Sequence, residues 1–132
     1  MRLVRTILRW LPFLTMLALA ATLSSYSDLR NTFVLTYGNV AWDNLHWYIS
    51  AALLMGSFWA QPRTRPIWQR LLLAATITIA IGLAREVLQK VTAGASGSRH
   101  DMRSNGGGII IGSLICLFWE SLRALLRNVL RL

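Results

Sequence analysis

Residues 71–89 read LLLAATITIAIGLAREVLQ. From Leu71 to Leu83 the run holds no charge, and its only side-chain polar groups are the hydroxyls of Thr76 and Thr78. Such a segment has almost nothing to show to water and is better dissolved in a bilayer than wrapped in polar surface. Arg85, Glu86 and Gln89 follow within the next two turns. A carboxylate beside hydrocarbon is costly unless it faces protein or water, so the polar end of this segment needs a partner or a ligand. Ala75, Thr78, Gly82, Glu86 and Gln89 recur every three or four residues and form one small-and-polar stripe on a helix whose other faces are largely leucine.

The rest of the chain repeats the pattern. Of 132 residues 55% are hydrophobic and 14% are charged, with a net charge of +9. That balance is too apolar for a soluble domain. Four apolar segments stand out, 7–24, 44–60, 71–88 and 106–122, each near the lower limit for a membrane span. The length allows one domain, residues 1–132, and no separate soluble one. The expected fold is all-α, an integral-membrane four-helix bundle with short loops.

Nine of the fourteen basic residues fall on one side of these segments: Arg2, Arg5 and Arg9 before the first, Arg63, Arg65 and Arg70 between the second and third, and Arg123, Arg127 and Arg131 after the fourth. Arg30, Lys90, Arg99 and Arg103 lie in the opposite loops, with Arg85 near a helix end. The bias predicts a multi-pass protein of the cell membrane with both termini in the cytoplasm. Trp10, Trp59, Trp68 and Trp119 then mark the inner interface, and Tyr26, Tyr37, Trp42 and Trp47 the outer one. Because the arginines flank apolar segments and form no continuous stripe, nucleic acid is not an expected partner. The expected partners are membrane lipids, and the spacing of Arg123, Arg127 and Arg131 lets the tail continue as an amphipathic helix anchored to anionic lipid. The first segment also has the parts of a secretory signal, with a cleavage pattern at Ala18-Leu19-Ala20. Its removal would leave three spans and the same polar end. The single cysteine, Cys116, cannot form an internal disulfide.

Four of the five acidic residues, Asp28, Asp43, Glu86 and Asp101, collect at the outward end of segments that alternate in direction. On the second segment Asp43, His46, Ser50 and Ser57 share a face. On the fourth, Asp101, Asn105, Gly108 and Gly112 do so, and the two glycines form a G-x-x-x-G pair that lets a neighbouring helix approach closely. That pair serves packing within the chain and self-association equally well. Taken singly, these residues have ordinary explanations: Asp43 or Asn105 as a helix N-cap, Glu86 paired with Lys90, His46 satisfied by Asp43. Their joint occurrence on one side makes Asp43, His46, Glu86, Gln89, Arg99, Asp101 and Asn105 a candidate binding set.

The order Asp43, His46, Glu86-x-x-Gln89, a polar loop with Arg99, then Asp101-x-x-x-Asn105-x-x-Gly108-x-x-x-Gly112 resembles the VanZ-like family of small membrane proteins. The resemblance covers residues 43–112. The family pattern opens with Asp-Lys and places its histidine four residues on, whereas this chain has Asn44 and a spacing of three. The family's arginine position falls at Ala95, so that Arg99 or Arg103 stands in for it. The resemblance implies four membrane helices and an outer-face set made of an acidic residue, a histidine, a Glu-x-x-Gln pair and an Arg-Asp-Asn loop. It also implies a cell-envelope role, the family's namesake being linked to low-level resistance to the glycopeptide teicoplanin, and it carries no particular reaction.

Arg99, Arg103 and the amide groups and dipole at the start of the fourth segment together suit an anion at the outer interface. The expected function is binding or remodelling of an anionic lipid or lipid-linked wall precursor, without a cofactor. The alternative is an acid/base enzyme acting on a phosphate-bearing substrate of that kind, with Glu86, His46 and Asp101 as catalytic candidates and Asp43 orienting the histidine. Asp43, His46, Glu86 and His100 have the ligand types of a metal site but no tight spacing motif, and no metal is expected. Four short helices also lack the repeated halves and broken helices of transporter folds.

Overall fold

A computed structural model describes residues 2–25, 34–93 and 99–130, with side chains at all of these except 2, 5, 22–25, 39–43, 89, 92–93 and 99–102. Asp28 and the 94–98 segment lie outside the described residues. The described chain is all-helical, with four long helices: α1 (Arg2–Ser25), α2 (Asn39–Ala60), α3 (Ile67–Ala93) and α4 (Arg99–Val129). A single helical turn over 34–37 precedes α2. It ends at Gly38, whose N–H donates to the Val34 carbonyl at 2.8 Å and whose φ of 84° only glycine adopts readily. Among the described residues two helices are long and apolar enough to cross a membrane, over Ile67–Leu88 and Arg103–Val129, and α1 carries a shorter apolar stretch, Thr6–Ala21.

Two boundaries differ from those expected. The second helix starts at Asn39, so Asp43 lies inside it and not at its N-cap. The fourth starts at Arg99, so the polar run from Arg99 to Asn105 is helical and not a loop. The amides of Gly106–Gly108 are therefore interior to α4 and are not an open helix end. Glycine in a helix interior costs about 1 kcal/mol relative to alanine. Tertiary packing overrides that cost here, because the tip of the Trp47 ring and the backbone of α2 lie where side chains on Gly107 and Gly108 would be.

The helix at the centre is α2. It packs on each of the other three, most extensively on α4. Gly108 faces Ser50 and Ala51, while Gly112 faces Ala51 and Leu54, so α2 and α4 run parallel. Arg85 of α3 meets His46 near the start of α2, and Arg70 meets Phe58 near its end, so α3 runs antiparallel between them. Phe13 of α1 closes on Gly56 of α2. Leu54, Phe58, Ala74 and Cys116 form the driest part of the interior.

Polar side chains share the interior with the apolar core, and large apolar side chains lie on the exterior. His46, Ser50, Ser57, Gln61, Arg70, Thr78 and Ser104 are buried, while Leu72, Ile79, Leu83 and Val87 of α3 and Ile110, Leu114 and Phe118 of α4 are exposed. Exposed large apolar side chains in such number are the mark of a membrane or protein contact surface. Buried polar groups then hold the helices to one another.

Candidate functional site

Three helices deliver polar side chains to the end of the bundle formed by the start of α2, the end of α3 and the start of α4. His46 is buried, and its Nε2 lies 2.6 Å from Nη2 of Arg85. Arginine has donors only, so a hydrogen bond between the two requires Nε2 as the acceptor. One turn further along α2, the buried Ser50 hydroxyl donates to Oδ1 of Asn105 on α4 at 2.9 Å. The amide of Asn105 also stands over Gly82 of α3, where an added Cβ would lie 3.3 Å from its Nδ2. Small residues on the α3 and α4 stripes thus admit the polar groups: Gly82 makes room for Asn105, and Gly108 makes room for Ser50.

The remaining candidates are placed less centrally. Glu86 is partly exposed and pairs with Lys90 one turn later at 3.8 Å, the ordinary intrahelical arrangement. Arg103 is exposed on α4. Asp43, Gln89, Arg99 and Asp101 lie on α2, α3 and α4, but their side chains fall outside the described residues. Gly108 and Gly112 both face α2 of the same chain. Among the described residues no group of three or more His, Cys, Asp or Glu side chains is arranged to hold a metal ion.

Sequence reasoning placed Arg85 near a helix end and outside the candidate set. The signal that finds it is periodicity, since Thr78, Gly82, Arg85 and Gln89 also follow a spacing of four and three. A helix face two residues wide admits both Arg85 and Glu86. Local spacing cannot say which of the two points at α2.

A second polar cluster, at the opposite end, has no counterpart in the sequence reading. Arg70 is buried, with Nη1 3.1 Å from Oε1 of Glu120, Nη2 donating to the Phe58 carbonyl at 3.3 Å, and its guanidinium 4.0 Å above the Phe58 ring. Gln61 donates from Nε2 to the carbonyls of Ser57 and Arg70. This cluster ties the α2–α3 connection to α4. Along α3, Arg70 and Arg85 are separated by about 22 Å of helix at 1.5 Å per residue.

Polar groups cluster at both ends and define a class: an all-α bundle in which two of the described helices are long and apolar enough to cross a membrane. Compared with known proteins, the chain matches no family model, no curated protein and no solved structure.

Removing the Ser50 hydroxyl should leave Asn105 short of a donor inside the bundle. Ser50→Ala is expected to cost about 1 kcal/mol. A double-mutant cycle with Asn105→Ala, read by unfolding in detergent micelles, should give a coupling of about 0.6 kcal/mol, the average for such pairs in membranes. Zero coupling would mean that the two side chains do not meet.

Proposed function

We propose that the chain is a multi-pass membrane protein of the cell envelope, of the VanZ-like kind, with both termini in the cytoplasm. Its outward end binds or remodels an anionic lipid or lipid-linked wall component, and through that influences susceptibility to teicoplanin. The observation that carries the proposal is the convergence of His46, Arg85, Ser50 and Asn105 from three helices on one end of a bundle whose exterior is apolar. Within a membrane, buried ionisable and hydrogen-bonding groups are expensive and mark functional sites. In the sequence segments assigned to this end the five cations Arg30, Arg85, Lys90, Arg99 and Arg103 outnumber the four carboxylates Asp28, Asp43, Glu86 and Asp101. Arg103 is exposed, and Lys90 stays exposed beside Glu86, so both can reach a phosphate, while Arg85 and His46 supply a pre-ordered polar floor.

Native mass spectrometry of the chain extracted gently from its own membrane is expected to find a retained phospholipid or polyprenyl phosphate. Lys90→Gln with Arg103→Gln disturbs neither buried pair and should weaken retention about fivefold per cation, the effect of one basic residue near an anionic head group. Arg85→Gln should release the ligand held at this end altogether, with Arg85→Lys retaining part of it. A bare protein, or a lipid indifferent to all three changes, would remove the basis for this function. A reporter fused after Leu132 and active only outside the cytoplasm would overturn the orientation.

A further inference from the structure

The end of the bundle opposite the polar site is grooved. A cleft of about 410 Å³ lies between the last turn of α2 and the middle of α4, floored by Trp59, Ile115 and Trp119 and edged by Arg63 and Arg123. A second, of about 290 Å³, shares both arginines and continues along α4 with Arg127, Leu126 and Leu130. Glu120 borders the second cleft, but its Oε1 is 3.1 Å from Arg70, so its charge is already matched inside the bundle. Among the described residues, three guanidinium groups therefore line the groove without a carboxylate paired to them. Arg123 lies over the Trp119 ring at 6.0 Å, and Arg127 donates from Nε to the Arg123 carbonyl at 3.3 Å, so both side chains run along α4 beside the groove.

Charge and polarity are graded along this surface. Arginines form one edge, two half-exposed indoles form a collar, and Ile115 leads onto the apolar flank of α4 with Leu114 and Phe118. A soluble anion would use only the arginines and leave the apolar floor bare. A phospholipid with a net negative head group satisfies all three zones: phosphate on the guanidiniums, the glycerol region at the indoles, acyl chains along α4. We infer that this groove is a binding site for one anionic phospholipid of the leaflet on the cytoplasmic side, gripping the α2–α3 connection and the end of α4 together. The site requires that the bundle spans a membrane, as proposed above, and it is independent of the polar site at the other end.

The test uses the full chain in detergent, titrated with phosphatidylglycerol or with phosphatidylcholine of the same acyl chains and read by native mass spectrometry. Beyond any lipid held at the polar end, one further phosphatidylglycerol is expected to bind in preference to phosphatidylcholine. R63Q/R123Q should weaken that adduct about fivefold per arginine removed. R9Q/R65Q removes the same charge from exposed positions that do not line the groove, and should leave the adduct near the unmodified level. W119A should weaken retention of both lipids by removing the floor. Equal losses in the two double variants would show diffuse surface attraction and overturn the site, as would equal binding of the two lipids. Loss of the adduct in K90Q/R103Q alone would put the lipid at the other end and overturn it as well. Release of the chain from membranes by alkaline carbonate would overturn the membrane proposal and the groove together. Membrane retention without lipid discrimination would overturn the groove alone.

Discussion

Gly108→Leu is expected to unseat α4 from α2 and abolish the folded bundle in detergent. A Cβ built at Gly108 would lie 2.6 Å from Cβ of Ser50 and 3.1 Å from the Ala51 nitrogen, and would press on the carbonyl oxygen of Trp47. Two of those three atoms are backbone, which cannot rotate aside as a flexible side chain can. Overpacking that side chains can absorb costs about 1–3 kcal/mol. Here the helix itself must move, so even Gly108→Ala should sit at the upper end of that range. Gly112→Ala should cost less, its Cβ meeting the Ala51 carbonyl oxygen at 3.0 Å and Leu54 Cδ2 at 3.3 Å. Gly106→Ala meets nothing within 4 Å and should raise stability by up to about 1 kcal/mol through helix propensity. Thermal unfolding in one detergent therefore has an expected order, with Gly106→Ala highest and Gly108→Leu lowest. A Gly108→Ala variant that melts with the unmodified chain would exclude the α2–α4 contact described above. Because Ser50 faces Gly108 and also bonds Asn105, that contact holds the polar site together as well as the bundle.

The second large effect belongs to the opposite end. Glu120→Ala would leave the guanidinium of Arg70, only 4% exposed, without its carboxylate. Breaking a buried pair from one side costs about 3–5 kcal/mol, because an uncompensated charge stays behind. The remaining contacts of Arg70, to the Phe58 carbonyl and ring, do not neutralise it. Arg70→Leu should cost less, since Glu120 is 16% exposed and can turn toward water. Replacing both with leucine should recover most of the loss, as well-packed apolar pairs often equal or exceed buried ion pairs. Denaturant titration in micelles of the two single variants and the double variant reads all three values. A cost for Glu120→Ala close to that of a surface pair, about 0–1 kcal/mol, would mean that Arg70 reaches solvent.

Arg70 and Glu120 also show where sequence reasoning stops. By position, Arg70 is one more arginine between two apolar segments, and Glu120 is the single acidic residue away from the cluster of the other four. Neither has a local signal of burial, since each is flanked by residues typical of a helix end. The end of the bundle with His46 and Asn105 is more legible in the sequence. The face of α2 with His46, Ser50 and Ser57 was marked by spacing, and all three residues are buried. Thr78 and Gly82 on α3 likewise turn inward, with Thr78 buried and Gly82 against Asn105. The same spacing rule could not choose between Arg85 and Glu86, adjacent residues about 100° apart around the helix. It is Arg85 that meets His46, while Glu86 pairs along its own helix with Lys90.

The start of α4 failed for a related reason. Three consecutive glycines preceded by Asn105 have the composition of a helix boundary. Their place inside a helix depends on a neighbour that occupies the space their missing side chains leave. By itself the sequence determined the helical class, the apolar segments, and the residues that share a face, because hydropathy and three-to-four spacing are local properties. The tertiary structure alone decided the partners: His46 with Arg85, 39 residues apart, Arg70 with Glu120, 50 apart, and Ser50 with Asn105, 55 apart. Those pairings depend on the rotation and axial offset of whole helices, which are set by the close approach at Gly108 and Gly112 and not by any residue's immediate neighbours in sequence.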